Sequence, residues 1–291
     1  MNTIIQVAIL GVLLGGVYAL MSSGLTILFG VMRVVNIAHA AVIVLAAYFT
    51  FFIWEWTGLD PLLIALIALP TFFVFGAALY VTLFPRLEGS PRFSEMTVLL
   101  TFGLAFVLEG LMAYFFTGIF RQTQPSYLVE AFRFGDFYVP KAQFYALLMS
   151  LALLIALWAF LNFTHVGYGI RATMQNRTAA QIVGVDVRRA SLISFGVGIA
   201  LAGAAGGLVS FIFPFFPARH WAWIAILLSL IVAGGLGSLK GAVIASVVLA
   251  VVSSYVSQYV GPVWSPMVFY AALFLMLMIR PQGLYGKVRR I

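Results

Sequence analysis

Asn36, His39 and Glu109 are the residues whose chemistry is least expected of their surroundings, because each stands within or beside an apolar run long enough to cross a bilayer. Polar and ionisable groups at that depth are costly, so they are candidates for a functional role. The stretch Gly24–Ala41, GLTILFGVMRVVNIAHAA, sets Arg33, Asn36 and His39 just after Gly30, where a glycine loosens a helix. A helix broken beside a pathway would offer backbone donors and acceptors to a passing solute, which makes Asn36 and His39 candidates for lining that path. The alternative is that both only hydrogen-bond neighbouring helices, with Arg33 at the aqueous interface. Glu109 must be paired, protonated or in a wet cavity. No basic partner for it is evident from the sequence, and a hydrogen-bonding role is preferred to proton coupling. No catalytic group is expected. The string GGLGSLKG at 234–241 has the wrong spacing for a phosphate loop, and neither a G-x-S-x-G elbow nor an H-E-x-x-H motif occurs. With no cysteine and widely separated histidines, no metal site is expected either.

A second chemical feature is the segment Gly167–Asp186, GYGIRATMQNRTAAQIVGVD, which separates two long apolar runs. It carries Arg171 and Arg177, with Arg188 and Arg189 just beyond, and such a segment must face water. Ala172, Ala179 and Ala180 favour a short helix that Gly184 can end. A short helix held between two spans suits docking onto a cytoplasmic partner; a plain connecting loop is the other reading.

The elements that must carry these residues are membrane helices. The 291-residue chain is 64% hydrophobic and 8% charged, whereas soluble domains carry roughly 25% charged residues. The expectation is a single transmembrane domain over 1–291, an all-α polytopic membrane protein of about 8–10 spans with broken or re-entrant segments. Nine apolar runs fall near 4–22, 37–54, 61–84, 96–118, 142–163, 190–213, 221–238, 242–260 and 264–279. The first lacks a basic n-region and reads as a retained span, not a cleaved signal. Placing the 167–189 loop in the cytoplasm puts twelve Lys and Arg residues inside and four outside, which favours that orientation. The C-terminus is then cytoplasmic, and Ile119–Lys141 is external. If Ser22–Val35 crossed as a separate short helix, the N-terminus would move inside. Gly203/Gly207 and Gly237/Gly241 share the four-residue spacing that lets helices approach closely. Pro214, Pro217, Arg219, His220, Trp221 and Trp223 read as a short outer turn with tryptophan anchors, where Arg219 and His220 could also meet an outer partner or an anionic substrate. The net charge of +8 belongs to these loops; with no Lys/Arg run longer than two, nucleic-acid binding is rejected.

Several separated strings carry a family resemblance: GLTILFGVMRVVNIAHA, GYGIRATMQNRTAAQIVGVD, ALAGAAGGL at 200–208, AGGLGSLKGAVI at 233–244 and RPQGLYG at 280–286. In this order they resemble the permease subunit of branched-chain amino-acid ABC importers, the LivH-like type. The resemblance implies a transport subunit and not an enzyme, in the bacterial cytoplasmic (inner) membrane. It implies a second homologous permease subunit, two ATP-binding subunits and an extracytoplasmic substrate-binding protein. No cofactor is implied on this chain, with ATP and Mg on the ATPase partners, and solute moves by ATP-driven alternating access. The coupling helix would draw on Arg171, Ala172, Asn176, Arg177, Ala179, Ala180 and Gly184. Ala40-Ala41 stand where the family usually has Gly-Glu, and a carboxylate there would suit an ammonium group. Urea, short amides and aromatic or other organic acids are therefore alternative solutes. An ion-coupled secondary transporter is the rival of another class, and it would rest on Glu109 alone.

Overall fold

The computed structural model describes residues 2–87 and 90–286. Among them lie eleven α-helices: α1 (Asn2–Met32), α2 (His39–Thr57), α3 (Pro61–Leu83), α4 (Phe93–Phe116), α5 (Lys141–Phe163), α6 (His165–Gln175), α7 (Arg177–Ile182), α8 (Val187–Ile212), α9 (His220–Gly234), α10 (Leu239–Tyr259) and α11 (Ser265–Ile279). All but α6 and α7 belong to nine segments long and apolar enough to cross a membrane. The protein is an all-α polytopic membrane protein, and local chemistry sets its boundaries. Gly58, at φ 70°, ends α2, and Asp60 then caps α3 by accepting from the Leu62 amide at 2.8 Å, with Pro61 in the first turn. The helices of α9 and α11 have 15 residues each, roughly 22 Å at 1.5 Å per residue. Each follows a proline-led 3₁₀ turn, Pro217–Arg219 or Pro262–Trp264, which lengthens the crossing.

The core is built around α8, which packs on α1, α2 and α3. Its glycines admit neighbouring backbones and rings. A Cβ on Gly206 would lie 2.3 Å from the Ile43 carbonyl oxygen, and one on Gly203 would lie 2.7 Å from Phe72. In lipid such close approach replaces the hydrophobic drive that packs soluble helices. Gly207 likewise faces Ala65, and Gly11 and Gly15 of α1 admit Val251 and Val247 of α10.

Contacts sort the connections onto two ends. At one end Gln6 bonds the backbone of Tyr138, and the Tyr255 hydroxyl donates to the Ile4 carbonyl. This end also carries a two-stranded hairpin, β1 (Ala131–Phe134) and β2 (Phe137–Pro140), paired antiparallel with Phe134 opposite Phe137. At the other end lie α6 and α7, reached by the α1–α2 turn and the 283–285 segment. We call these the hairpin end and the loop end. Of the sixteen Lys and Arg residues, the loop end holds Arg33, Arg86, Arg92, Arg171, Arg177, Arg188, Arg189, Lys240 and Arg280. The hairpin end holds Arg121, Arg133, Lys141 and Arg219. Lys287, Arg289 and Arg290 lie outside the described residues.

Two sequence expectations are corrected. Gly30 does not break the first helix: α1 runs on to Met32 as one element, so Ser22–Val35 is no separate crossing, and the chain turns at Arg33, whose φ is 60°. Gly30 instead sits against the end of the Met174 side chain, which lies 2.3 Å from where a Cβ would be. Gly237 and Gly241 do not share a helix face. Gly237, at φ 79°, lies in the α9–α10 turn, while Gly241 sits in the first turn of α10 with its would-be Cβ 1.9 Å from the Gly234 carbonyl. In the outer segment, Gly135 at φ 61° supports the two-residue Gly-Asp turn of the hairpin.

Candidate functional site: the loop end

Thr164 caps α6 by accepting from the Gly167 amide at 2.9 Å. Asn176 then interrupts the helix. Its extended backbone and side-chain Oδ1, which accepts from the amides of Thr178 and Ala179 at 3.1 Å each, start α7 afresh. Gly184, at φ 86°, ends the excursion, and Asp186 caps α8 through the Arg189 amide. The insert is therefore two helices joined at an angle, not one. Ala180 is buried against the body, whereas Arg177 and Ala179 are exposed. Ile182 and Val183 project from the tip, 81% and 76% exposed. Sequence reading missed this pair. The signal was present as two adjacent apolar residues in an otherwise polar insert.

Arg171 is tied back to α5 by donating to Asn162 Oδ1 at 2.7 Å, and its guanidinium lies 5.0 Å from the Tyr168 ring centroid. Ala172 is half-buried beside it. Arg33 donates from Nη2 to the Met174 carbonyl at 3.3 Å, so the α1–α2 turn is fastened to the end of α6. Arg33, Arg171, Met174, Gly237 and Tyr285 border an open cavity of about 540 Å³. Segments far apart in sequence meet here. The amides of Leu284 and Tyr285 donate to the carbonyls of Ala233 and Gly234 at 3.0 and 3.1 Å, and Gly237 lies against Gly30. A displacement of α6 would thus be felt directly by the end of α1, which in turn meets the α9–α10 turn at Gly30.

The other sequence candidates lie away from this surface. Asn36 is 4% exposed, with Oδ1 unpartnered beneath α4, where the Ile37 amide donates to Thr101 Oγ1 at 3.2 Å. His39 is fully buried where α1, α2 and α8 cross; Nε2 lies 3.1 Å from the Met21 carbonyl oxygen and Nδ1 has no partner. A Cβ on Gly24 would meet both the His39 ring and the Gly198 carbonyl. Glu109 does have partners. Oε2 accepts from Trp221 Nε1 at 2.9 Å and lies 3.1 Å from His220 Nε2. Trp221 and the 2%-exposed Trp223 are therefore held by the protein itself, not placed in a free outer turn. The pairing spans 111 residues for His220, which is why no local pattern announced it. At the hairpin end, burial and then Asp60 push the Tyr127 hydroxyl far above its ordinary range, so it remains a donor to Asp60 Oδ1 at 3.2 Å.

The Glu109 arrangement carries a stability prediction. Glu109→Leu leaves the indole N–H and His220 without their acceptor, at roughly 1–3 kcal/mol for each buried unsatisfied group. Glu109→Gln keeps an acceptor oxygen and should cost about half as much or less. Unfolding midpoints of the purified variants should rank wild type, Gln, Leu. A leucine variant as stable as the glutamine variant would contradict the assignment.

Comparison with known proteins agrees with the motifs that converge on the loop end. A family model described as "Branched-chain amino acid transport system / permease component" matches residues 7–278. The probable branched-chain amino acid transport permease protein LivH of Methanocaldococcus jannaschii is 28% identical over 77% of this chain and 72% of its own length. The high-affinity branched-chain amino acid transport system permease protein LivH of Escherichia coli K12 is 24% identical over 95% of this chain and 94% of its own. The corresponding protein BraD of Pseudomonas aeruginosa is 22% identical over 97% and 96%. No solved structure matches the chain. With a family model spanning nearly all of its membrane helices, this chain belongs to the permease components of branched-chain amino acid transport systems.

Proposed function

We propose that this subunit conducts solute for a binding-protein-dependent ABC importer of the bacterial inner membrane. The solutes are branched-chain amino acids or related small organic molecules. ATP and Mg would be held and turned over by two separate subunits, a second homologous permease would complete the path, and an extracytoplasmic protein would deliver solute. The loop end faces the cytoplasm, and α7 is the surface that receives an ATPase subunit. The observation that carries this reading is the Ile182–Val183 tip, two exposed apolar side chains on a capped helix at the basic end of the molecule. Movement received there passes through Arg33 and Met174 into α1 and is expressed as alternating access. The deciding experiment is uptake of labelled leucine into vesicles holding the complete complex. ATP-dependent uptake that disappears when either the ATPase subunits or the binding protein is omitted is expected. Uptake that persists without the ATPase subunits and follows a proton or sodium gradient would assign the chain to ion-coupled transport instead.

Orientation can be checked separately. A reporter fused after Ile291 should be active only in its cytoplasmic form, and a tag at Gln124, exposed at the hairpin end, should be reached from outside intact cells. Finding both on one side would overturn the placement of α7.

A further inference from the structure

The hairpin end contains an open cavity of about 390 Å³ lined mainly by α1, α9, α10 and α11, with Gln143 of α5 and Phe213 beside them, within the usual range for small-molecule sites. Arg219, Gln258 and Pro262 all lie at the hairpin end of their elements, so the cavity occupies that half of the subunit. Its floor is aromatic: Tyr18 packs edge-to-face on the buried Phe269 at 5.5 Å and stacks on Phe213 at 6.3 Å. One wall is apolar, with Leu10, Leu14 and Ile226. Along α10 the lining is polar, with Ser254, Ser257 and Gln258.

One charge faces this space. Among the described residues Arg219 forms no ion pair, and its buried Nε has no hydrogen-bond partner. Gln143, which also lines the cavity, has its buried Oε1 unpartnered. The Arg219 guanidinium stands 6.0 Å from the Trp223 ring centroid, which orients it without neutralising it. A half-buried guanidinium with no carboxylate partner calls for an anion, and its planar fork fits a carboxylate with two parallel hydrogen bonds.

We infer that this cavity is a binding site for a small solute bearing one free carboxylate and an apolar side chain, with Arg219 holding the carboxylate. The apolar wall takes the side chain, and the serine and glutamine groups satisfy an amino or hydroxyl group beside the carboxylate. The assignment deepens the importer reading by giving that path an outer-half site within a single subunit. Its test does not depend on the ATPase partners.

The absence of cysteine makes the test direct. The full chain carrying Ser257→Cys is placed in nanodiscs of neutral lipid. It is labelled with an anionic sulfonatoethyl or a cationic trimethylammonioethyl thiosulfonate, each rate normalised to a free thiol. A single nearby positive charge in a partly desolvated cavity should favour the anionic reagent by about tenfold. Arg219→Gln should abolish that preference and Arg219→Lys should keep it, with size-exclusion profiles confirming that each variant is folded. Millimolar leucine should slow labelling of the Arg219 form, and leucinamide, which lacks the carboxylate, should not. An unchanged preference in a folded Arg219→Gln variant, or equal protection by leucinamide, would overturn the proposal. So would protection that appears when phosphatidylglycerol replaces neutral lipid and that leucine does not add to, since the cavity would then hold a lipid headgroup. Charge-selective labelling with leucine protection but no ATP-driven uptake would leave the site standing and remove the importer reading alone.

Discussion

Substrate-stimulated ATP hydrolysis should collapse when Ile182 and Val183 are both replaced by aspartate. The two side chains are 81% and 76% exposed at the tip of the loop end. Each would release roughly 1.5–3 kcal/mol on full burial against a partner. Losing even half of that for both side chains removes about 1.5–3 kcal/mol, a weakening of about ten- to a hundredfold in docking. Adding two carboxylates to a surface that must be desolvated raises the loss further. Membrane insertion should persist, because neither residue packs into the body. The measurement is co-purification of the ATPase subunits together with hydrolysis in the presence of binding protein and leucine. Replacing Asn176–Ala180 with a Gly/Ser stretch should act in the same direction, since Asn176 supplies the cap that starts α7 and Ala180 is its buried anchor. Normal hydrolysis and uptake in both variants would rule out α7 as the docking element.

Gly206→Leu should be severely damaging to the core. Its Cβ would lie 2.3 Å from the Ile43 carbonyl oxygen and 2.5 Å from the Ala46 Cβ, so the backbones of α2 and α8 must separate. Overpacking costs about 1–3 kcal/mol even where side chains alone can shift, and here the contacting atoms are backbone and Cβ. The variant should reach the membrane yet fail to give a monodisperse peak after extraction. Gly103→Ala is the contrasting case. No atom lies within 4 Å of a Cβ built there, and a mid-helix glycine costs about 0.5–1 kcal/mol relative to alanine. That variant should unfold at a slightly higher temperature than the wild type. A tolerated Gly206→Leu beside a destabilised Gly103→Ala would contradict the packing described for α8.

Much of this protein was determined by its sequence alone. Runs of about twenty apolar residues must cross as helices, because a backbone in lipid can satisfy its polar groups in no other open form. Eight of the nine expected spans match the observed ones to within a few residues, and the first runs ten residues beyond its expected end at 22, to Met32. The polar insert 167–186 had to be aqueous, and Gly184 marks its helical end because it alone there takes a positive φ without strain, whereas the restart at Asn176 was not read from the sequence. Tertiary structure decided the rest. The partners of Glu109 come from α9, more than a hundred residues away, and a periodic pattern carries no information about which helix faces which. Glycine spacing at 203 and 207 shows that something must come close, but only the fold shows Phe72 and Ala65 as the visitors. The same spacing at 237 and 241 belongs to a turn, since a glycine can serve close packing or a positive φ and its neighbours in sequence do not distinguish the two. The cavity around Arg219 was equally invisible. Its lining comes from separate elements, and an arginine without a counter-ion is recognised only once every group that could reach it has been placed.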